Sequence, residues 1–209
     1  MRWTLFVGLI LAFLLVVEAG AQEEKKRRIE VIPYGGYMWS SGQNVLYGGQ
    51  NGSLTIESSP FWGVAVDYDL KKQSTQIEFM YTRQVSKYNF ELSGEKTFLS
   101  DLTVDFMHVA FILGGDESKR FWYTSLALGA THYGVEADDS GEWKFSIGFG
   151  LGMKYYLSDR FMLRIQGRAP YTVIGNRDDY ICNDSGCLKS AGGNGVWQYE
   201  LSAGLGIIF

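Results

Sequence analysis

Residues 198–209 alternate almost without a break. Tyr199, Leu201, Ala203, Leu205, Ile207 and Phe209 fall on one face, and Gln198, Glu200, Ser202, Gly204 and Gly206 on the other, with Ile208 the one large apolar side chain among the small and polar ones. A strand sends successive side chains to opposite faces, so this stretch is a ribbon with one apolar side and one polar side. Its length is close to the ~9–11 residues with which a tilted strand crosses a bilayer. In a water-soluble protein the apolar side faces a core, whereas in a transmembrane barrel it faces lipid and the polar side lines the interior. The rest of the chain decides between the two.

Seven other stretches are predicted as strands: 29–41, 61–69, 76–88, 102–113, 121–135, 143–157 and 161–174. The clearest is 143–157, where Trp143, Phe145, Ile147, Phe149, Leu151, Met153 and Tyr155 oppose Lys144, Ser146, Gly148, Gly150, Gly152 and Lys154. Two are ambiguous. In 29–41 both Val31/Pro33/Tyr37/Trp39 and Ile32/Tyr34/Met38 qualify as the outward set, and 102–113 is apolar on both faces beyond Asp105. The polar connections 42–60, 89–101 and 175–197 are long, and they alternate with short turns. An even strand number with long links at one end and short ones at the other is the layout of an outer-membrane barrel. The 26 glycines, 3 prolines, 13 tyrosines and 13 phenylalanines suit an all-β chain. Beyond the amino terminus no window reads as a hydrophobic helix, and lipid tolerates only helices and closed sheets. The expected fold is therefore all-β, an eight-stranded antiparallel up-and-down transmembrane β-barrel over residues 29–209. A soluble lipocalin-like calyx shares the strand count, but its interior should be apolar, and the inward set here is charged and glycine-rich.

Residues 1–21 carry Arg2, an apolar run over 5–17 and the small residues Ala19-Gly20-Ala21, the pattern of a cleaved signal peptide. The charged stretch 22–28 (QEEKKRR) reads as a flexible lead-in. A formal charge of −4 gives no reason to expect nucleic acid as a partner.

Strand parity places Asp67, Glu78, Asp105 and Glu200 inside as anions, and Lys144, Lys154, Arg164 and Arg168 inside as cations. An eight-stranded barrel is just wide enough for side chains to fill it, so these charges are expected to pair into a plug. The alternative is a narrow or gated path for ions or small solutes past Arg164, Arg168 and Glu78. Trp39, Trp62, Trp143 and Trp197 lie next to long connections, and Trp122 and Tyr155 next to short ones, as two interfacial aromatic girdles would. His132, near Asp138, Ser140 and Glu142, is the candidate for a lipid A-modifying enzyme, but its neighbours lack a His-x-Ser spacing, and a hydrogen-bonding role at the rim is the plainer reading. His108 lies mid-strand. Cys182 and Cys187 are the only cysteines, and in an exported chain they are expected to form a local disulfide. With Asp178, Asp179 and Asp184 they make a poor metal set, so neither a metal nor a cofactor is expected.

Residues 147–168 (IGFGLGMKYYLSDRFMLRIQGR) resemble a hairpin of the small eight-stranded outer-membrane barrels of the OmpA/OmpX-like superfamily, with Gly150, Gly152, Leu157 and Leu163-Arg164 standing for its motif and Leu157 one position early. Tyr34-Gly35-Gly36-Tyr37 and the terminal Phe209 are similar to the same group. The resemblance implies that Tyr199, Leu201, Leu205, Ile207 and Phe209 form the signal read by the barrel-assembly machinery. The chain is expected to be a monomer surrounded by outer-membrane lipid and lipopolysaccharide. Function is then expected in the external connections, as adhesion or envelope integrity through an extracellular ligand, rather than in catalysis.

Overall fold

The computed structural model describes residues 28–47, 50–70, 75–92, 95–117, 119–135, 138–174, 181–183, 186–190 and 195–209. The expected signal peptide, most of the lead-in, and Asp178, Asp179 and Asp184 lie outside them. The strands are β1 (Ile29–Ser40), β2 (Gln43–Tyr47), β3 (Gln50–Ile56), β4 (Ser59–Asp69), β5 (Thr75–Leu92), β6 (Glu95–Glu117), β7 (Arg120–Val135), β8 (Asp138–Tyr156), β9 (Phe161–Val173), β10 (Ile181–Asn183), β11 (Gly186–Ser190) and β12 (Gly195–Ile208). Eight of them, β1, β4, β5, β6, β7, β8, β9 and β12, close into an antiparallel ring. The seam joins the first strand to the last, with Tyr34 opposite Gly204 and Trp39 opposite Tyr199.

One end of the ring carries tight turns. Between β8 and β9 the Leu157 amide donates to the Phe161 carbonyl at 2.9 Å, and the Ser158 hydroxyl accepts from the Arg160 and Phe161 amides at 3.3 and 3.1 Å. At the other end the strands run past the ring. β5 and β6 pair as far as Leu92 opposite Glu95, and β7 and β8 as far as Val135 opposite Asp138. β3 continues the line of β4, and both pair with β5. β2 folds back on β3 and is joined by β11 of the β10–β11 hairpin. The segments 42–60 and 89–101, expected as polar loops, are thus largely hairpins. Leu54, Ile56 and Phe90 are buried there, but so few apolar positions among Gly, Ser, Asn and Gln give too short a run of two-residue alternation to mark a strand in the sequence.

Burial settles both ambiguous strands. In β1 the even positions Glu30, Ile32, Tyr34 and Met38 point inward and Pro33, Tyr37 and Trp39 outward. In β6 Leu102, Val104, Phe106, His108, Ala110 and Ile112 point inward, and Met107, Val109, Phe111 and Leu113 outward. Around the ring the outward positions are large and apolar: Phe149 is 53% exposed, Leu151 68% and Leu205 51%. The interior is layered, with ion pairs toward the turn end and an apolar group of Phe61, Leu102, Val104, Phe106, Tyr133 and Val196 toward the hairpin end. It is therefore less uniformly charged than the strand pattern implied.

Candidate functional site

The interior ion-pair network begins at Lys154 of β8, which is wholly buried. Its ammonium donates to Glu30 Oε2 of β1, Asp67 Oδ2 of β4 and Gln76 Oε1 of β5, each at 2.5 Å. Three acceptors match the three donors of an ammonium group. The other oxygen of Glu30 accepts the Tyr156 hydroxyl at 3.0 Å. Arg164 of β9 donates through Nε to the Tyr123 hydroxyl at 2.7 Å and through Nη2 to Gln166 Oε1 at 2.6 Å. Its Nη1 is shared by Glu78 Oε2 and, at 3.5 Å, Asp67 Oδ2. One layer toward the hairpin end, Arg168 donates through Nε to Glu200 Oε1 and rests against the sulfur of Met80. Neutral pairs fill the remaining space: Tyr34 with Thr82 at 2.6 Å, His108 Nε2 with Ser146 at 2.9 Å, Thr131 with Thr172 at 2.9 Å, and Gln198 with Gln84 at 3.2 Å.

Glycines on the inner face make room for this filling. A Cβ on Gly152 would stand 2.5 Å from the Tyr123 ring and hydroxyl, and one on Gly63 2.5 Å from the Tyr34 ring. The outer ends of the Tyr34 and Tyr123 rings lie against these gaps in the wall, which is the close approach that only glycine permits.

Six of the expected lumen charges, Asp67, Glu78, Lys154, Arg164, Arg168 and Glu200, meet inside the ring. Two do not. Asp105 faces outward: its position is odd in a strand whose even positions point inward, which the doubly apolar sequence of β6 concealed. There its carboxylate accepts from the Tyr81 hydroxyl at 2.8 Å and lies 3.6 Å from Arg83 Nε and 3.9 Å from His132 Nδ1. Lys144 has the expected parity but sits at the hairpin-end mouth, partly exposed, and pairs with Glu142 of its own strand. The residue that sequence reasoning missed is Glu30. Its signal was the alternation of β1, which became readable only through pairing with β4 and β12.

Outside, Trp62, Arg83, Asp105, His132 and Trp143 are successive cross-strand partners from β4 to β8. His132 stacks on Trp143 with ring centroids 4.9 Å apart. The girdle continues through Tyr37 and Trp39, 5.4 Å apart, and through Tyr171, Trp197 and Tyr199, with Tyr171 and Trp197 4.8 Å apart. At the turn end Trp122, Tyr155, Phe161 and Phe209 point outward. An apolar surface bounded by aromatic rings at both rims suits a bilayer and its two interfaces. Cys182 and Cys187 are directly opposite in the β10–β11 register.

No protein-family profile matches the chain, and no curated protein matches it in sequence. Solved structures do. Neisserial surface protein A superposes with a TM-score of 0.53 at 16% identity, over 86% of this chain and 96% of that one. The outer membrane protein OprG from Pseudomonas aeruginosa gives 0.59 at 13% identity, over 86% and 95%. The chain has the fold of these small outer-membrane barrels. The outer membrane protease OmpT from Escherichia coli also matches, at 10% identity over 91% of this chain and 99% of that one, but its TM-score of 0.48 is too low to bear on chemistry.

Proposed function

We propose that this chain is an integral outer-membrane barrel with a closed interior, whose role is structural and surface-directed, in adhesion or envelope integrity, rather than catalytic or conductive. The observation that carries this reading is the combination of a filled lumen with a wall that is apolar outside and extended at one end only. Strands that run on past the girdle, with β2, β3, β10 and β11 added, present a broad sheet edge to the exterior, where a partner would be met. Solved structures of the same fold include a surface protein and an outer membrane protein, which supports the placement. Residues 1–21 would direct export. Tyr199, Leu201, Leu205, Ile207 and Phe209, all on the outward face of β12, would offer the assembly machinery a strand with an aromatic end. Phospholipid and lipopolysaccharide would surround the band between the girdles.

The deciding experiment compares boiled and unboiled samples from membranes on a denaturing gel. A detergent-extracted barrel migrates as a compact form until boiled, and shaving intact cells with a protease cuts only the hairpin end. A protein that stays folded without detergent and migrates identically in both samples would rule the reading out. Phe209→Ala is expected to lower the yield of the compact form in cells without changing synthesis of the chain. An unchanged yield removes the assembly role of the carboxyl-terminal aromatic.

A further inference from the structure

Among the described residues the buried interior holds four carboxyl groups, Glu30, Asp67, Glu78 and Glu200, but only three cations, Lys154, Arg164 and Arg168. A surplus charge in a sealed interior is costly unless something neutralises it. Glu30 is fully engaged, one oxygen with Lys154 and the other with Tyr156. Glu200 keeps Oε2 without a donor, yet its partner Arg168 keeps Nη2 without an acceptor, so that pair is balanced in charge. Asp67 and Glu78 differ. They are direct cross-strand partners, both point inward and neither is exposed. Both share Arg164 Nη1 through one oxygen each, and each keeps its second oxygen, Asp67 Oδ1 and Glu78 Oε1, without a donor.

We propose that Asp67 and Glu78 form a binding site for a single proton, held between the two carboxyl groups in the folded barrel. One proton removes the surplus charge and supplies a donor where two like-charged acceptors otherwise meet. The charged and titratable groups around the pair are Glu30 from β1, Lys154 and Tyr156 from β8, Arg164 from β9 and Tyr123 from β7, with Tyr34, Arg168 and Glu200 one layer away. The inward neighbours from β6 and β12 at this level, Ala110, Ile112, Gly206 and Ile208, carry no charge. Asp69 and Arg28 lie at the rim, joined through their backbones. The site deepens the closed-lumen reading and rests on it, but its readout is separate from that reading.

The test is infrared spectroscopy of the folded full-length barrel in detergent at pH 6, where both side chains in water are ionised. Wild type minus Glu78→Gln, and wild type minus Asp67→Asn, should each show the carbonyl band of one protonated carboxylic acid, shifting in D2O. Glu78→Gln, a neutral isostere of the protonated acid, is expected to leave the unfolding equilibrium constant in urea within about tenfold of wild type. Glu200→Gln strands Arg168 and should raise that constant more than a hundredfold, as breaking a buried pair does. Absence of the band from wild type overturns the proposal, as does a band that survives both variants. Stability that rises with sodium at constant ionic strength, without the band, assigns the site to a metal cation and overturns it as well. If neither variant folds, the wild-type spectrum decides alone, because every water-exposed carboxyl is ionised at that pH. Heat-modifiable migration is unaffected by any of these outcomes, so failure here is distinguishable from failure of the barrel reading.

Discussion

Lys154 and Lys144 are ten residues apart on β8 with the same parity, yet they face different physical problems. Lys154 is enclosed with Glu30, Asp67 and Gln76, whereas Lys144 meets Glu142 in water at the mouth. Removing one partner of a buried pair leaves an uncompensated charge and costs about 3–5 kcal/mol, while an exposed pair contributes about 0–1 kcal/mol. Lys154→Met is therefore expected to shift urea unfolding of the barrel by about 3–5 kcal/mol and Lys144→Met by less than about 1 kcal/mol. Equal losses in the two variants would contradict the placement of Lys144 outside the network. Side-chain parity alone could assign six of the lumen charges because their strands have one clean apolar face. It could not place Asp105, whose strand is apolar on both sides, or Glu30, whose strand offers two plausible outward sets. Those two positions are fixed by pairing with neighbouring strands, which is non-local information.

At the scale of the strand, the inner-face glycines of β8 set what can lie across the wall. Gly152→Val adds atoms where the Tyr123 ring now lies, 2.5 Å from the would-be Cβ. Tyr123 must then move off Arg164 Nε, and overpacking of this kind costs about 1–3 kcal/mol. The expected result is a lowered urea midpoint for Gly152→Val that is restored only in part when Tyr123→Leu removes the ring, because the Ile165 carbonyl oxygen stands 2.7 Å from the same would-be Cβ, measured as a double-mutant cycle. Additive losses would mean the two positions do not meet. In the hairpins, the register sets Cys182 opposite Cys187 and leads us to expect a disulfide between them. Thiol-specific alkylation of the exported protein should label these cysteines only after reduction. Because the loop so closed is short and lies beyond the ring, the serine variants should leave the urea midpoint of the barrel nearly unchanged. The ring strands were legible because one side of each meets lipid and the other a crowded interior. The extensions β2, β3, β10 and β11 were not, since their pairing depends on joining two distant segments, 42–60 and 175–197, in one sheet.

For the whole molecule, the question is whether the barrel conducts. Its interior is obstructed twice in series. Toward the turn end the network around Lys154 and Arg164 spans the lumen from β1 to β9. Toward the hairpin end Leu102, Val104 and Phe106 are buried to within 1% of full enclosure, against Phe61, Tyr133 and Val196. An ion entering from either side must shed water against an apolar layer or displace a paired charge, and an eight-stranded ring has no spare width around them. Purified protein reconstituted into planar bilayers is therefore expected to give no stepwise current. Arg164→Ala, which opens only the charged layer, should remain silent, because the apolar layer still blocks the path. A variant that empties both layers, Arg164→Ala with Phe106→Ala and Leu102→Ala, is the one expected to leak, if its compact form on gels shows that it still folds. Stepwise current from the unaltered protein, abolished by changing Arg164 or Arg168, would instead make these arginines the lining of a path, and the interior would have to be redrawn as a gate rather than a plug.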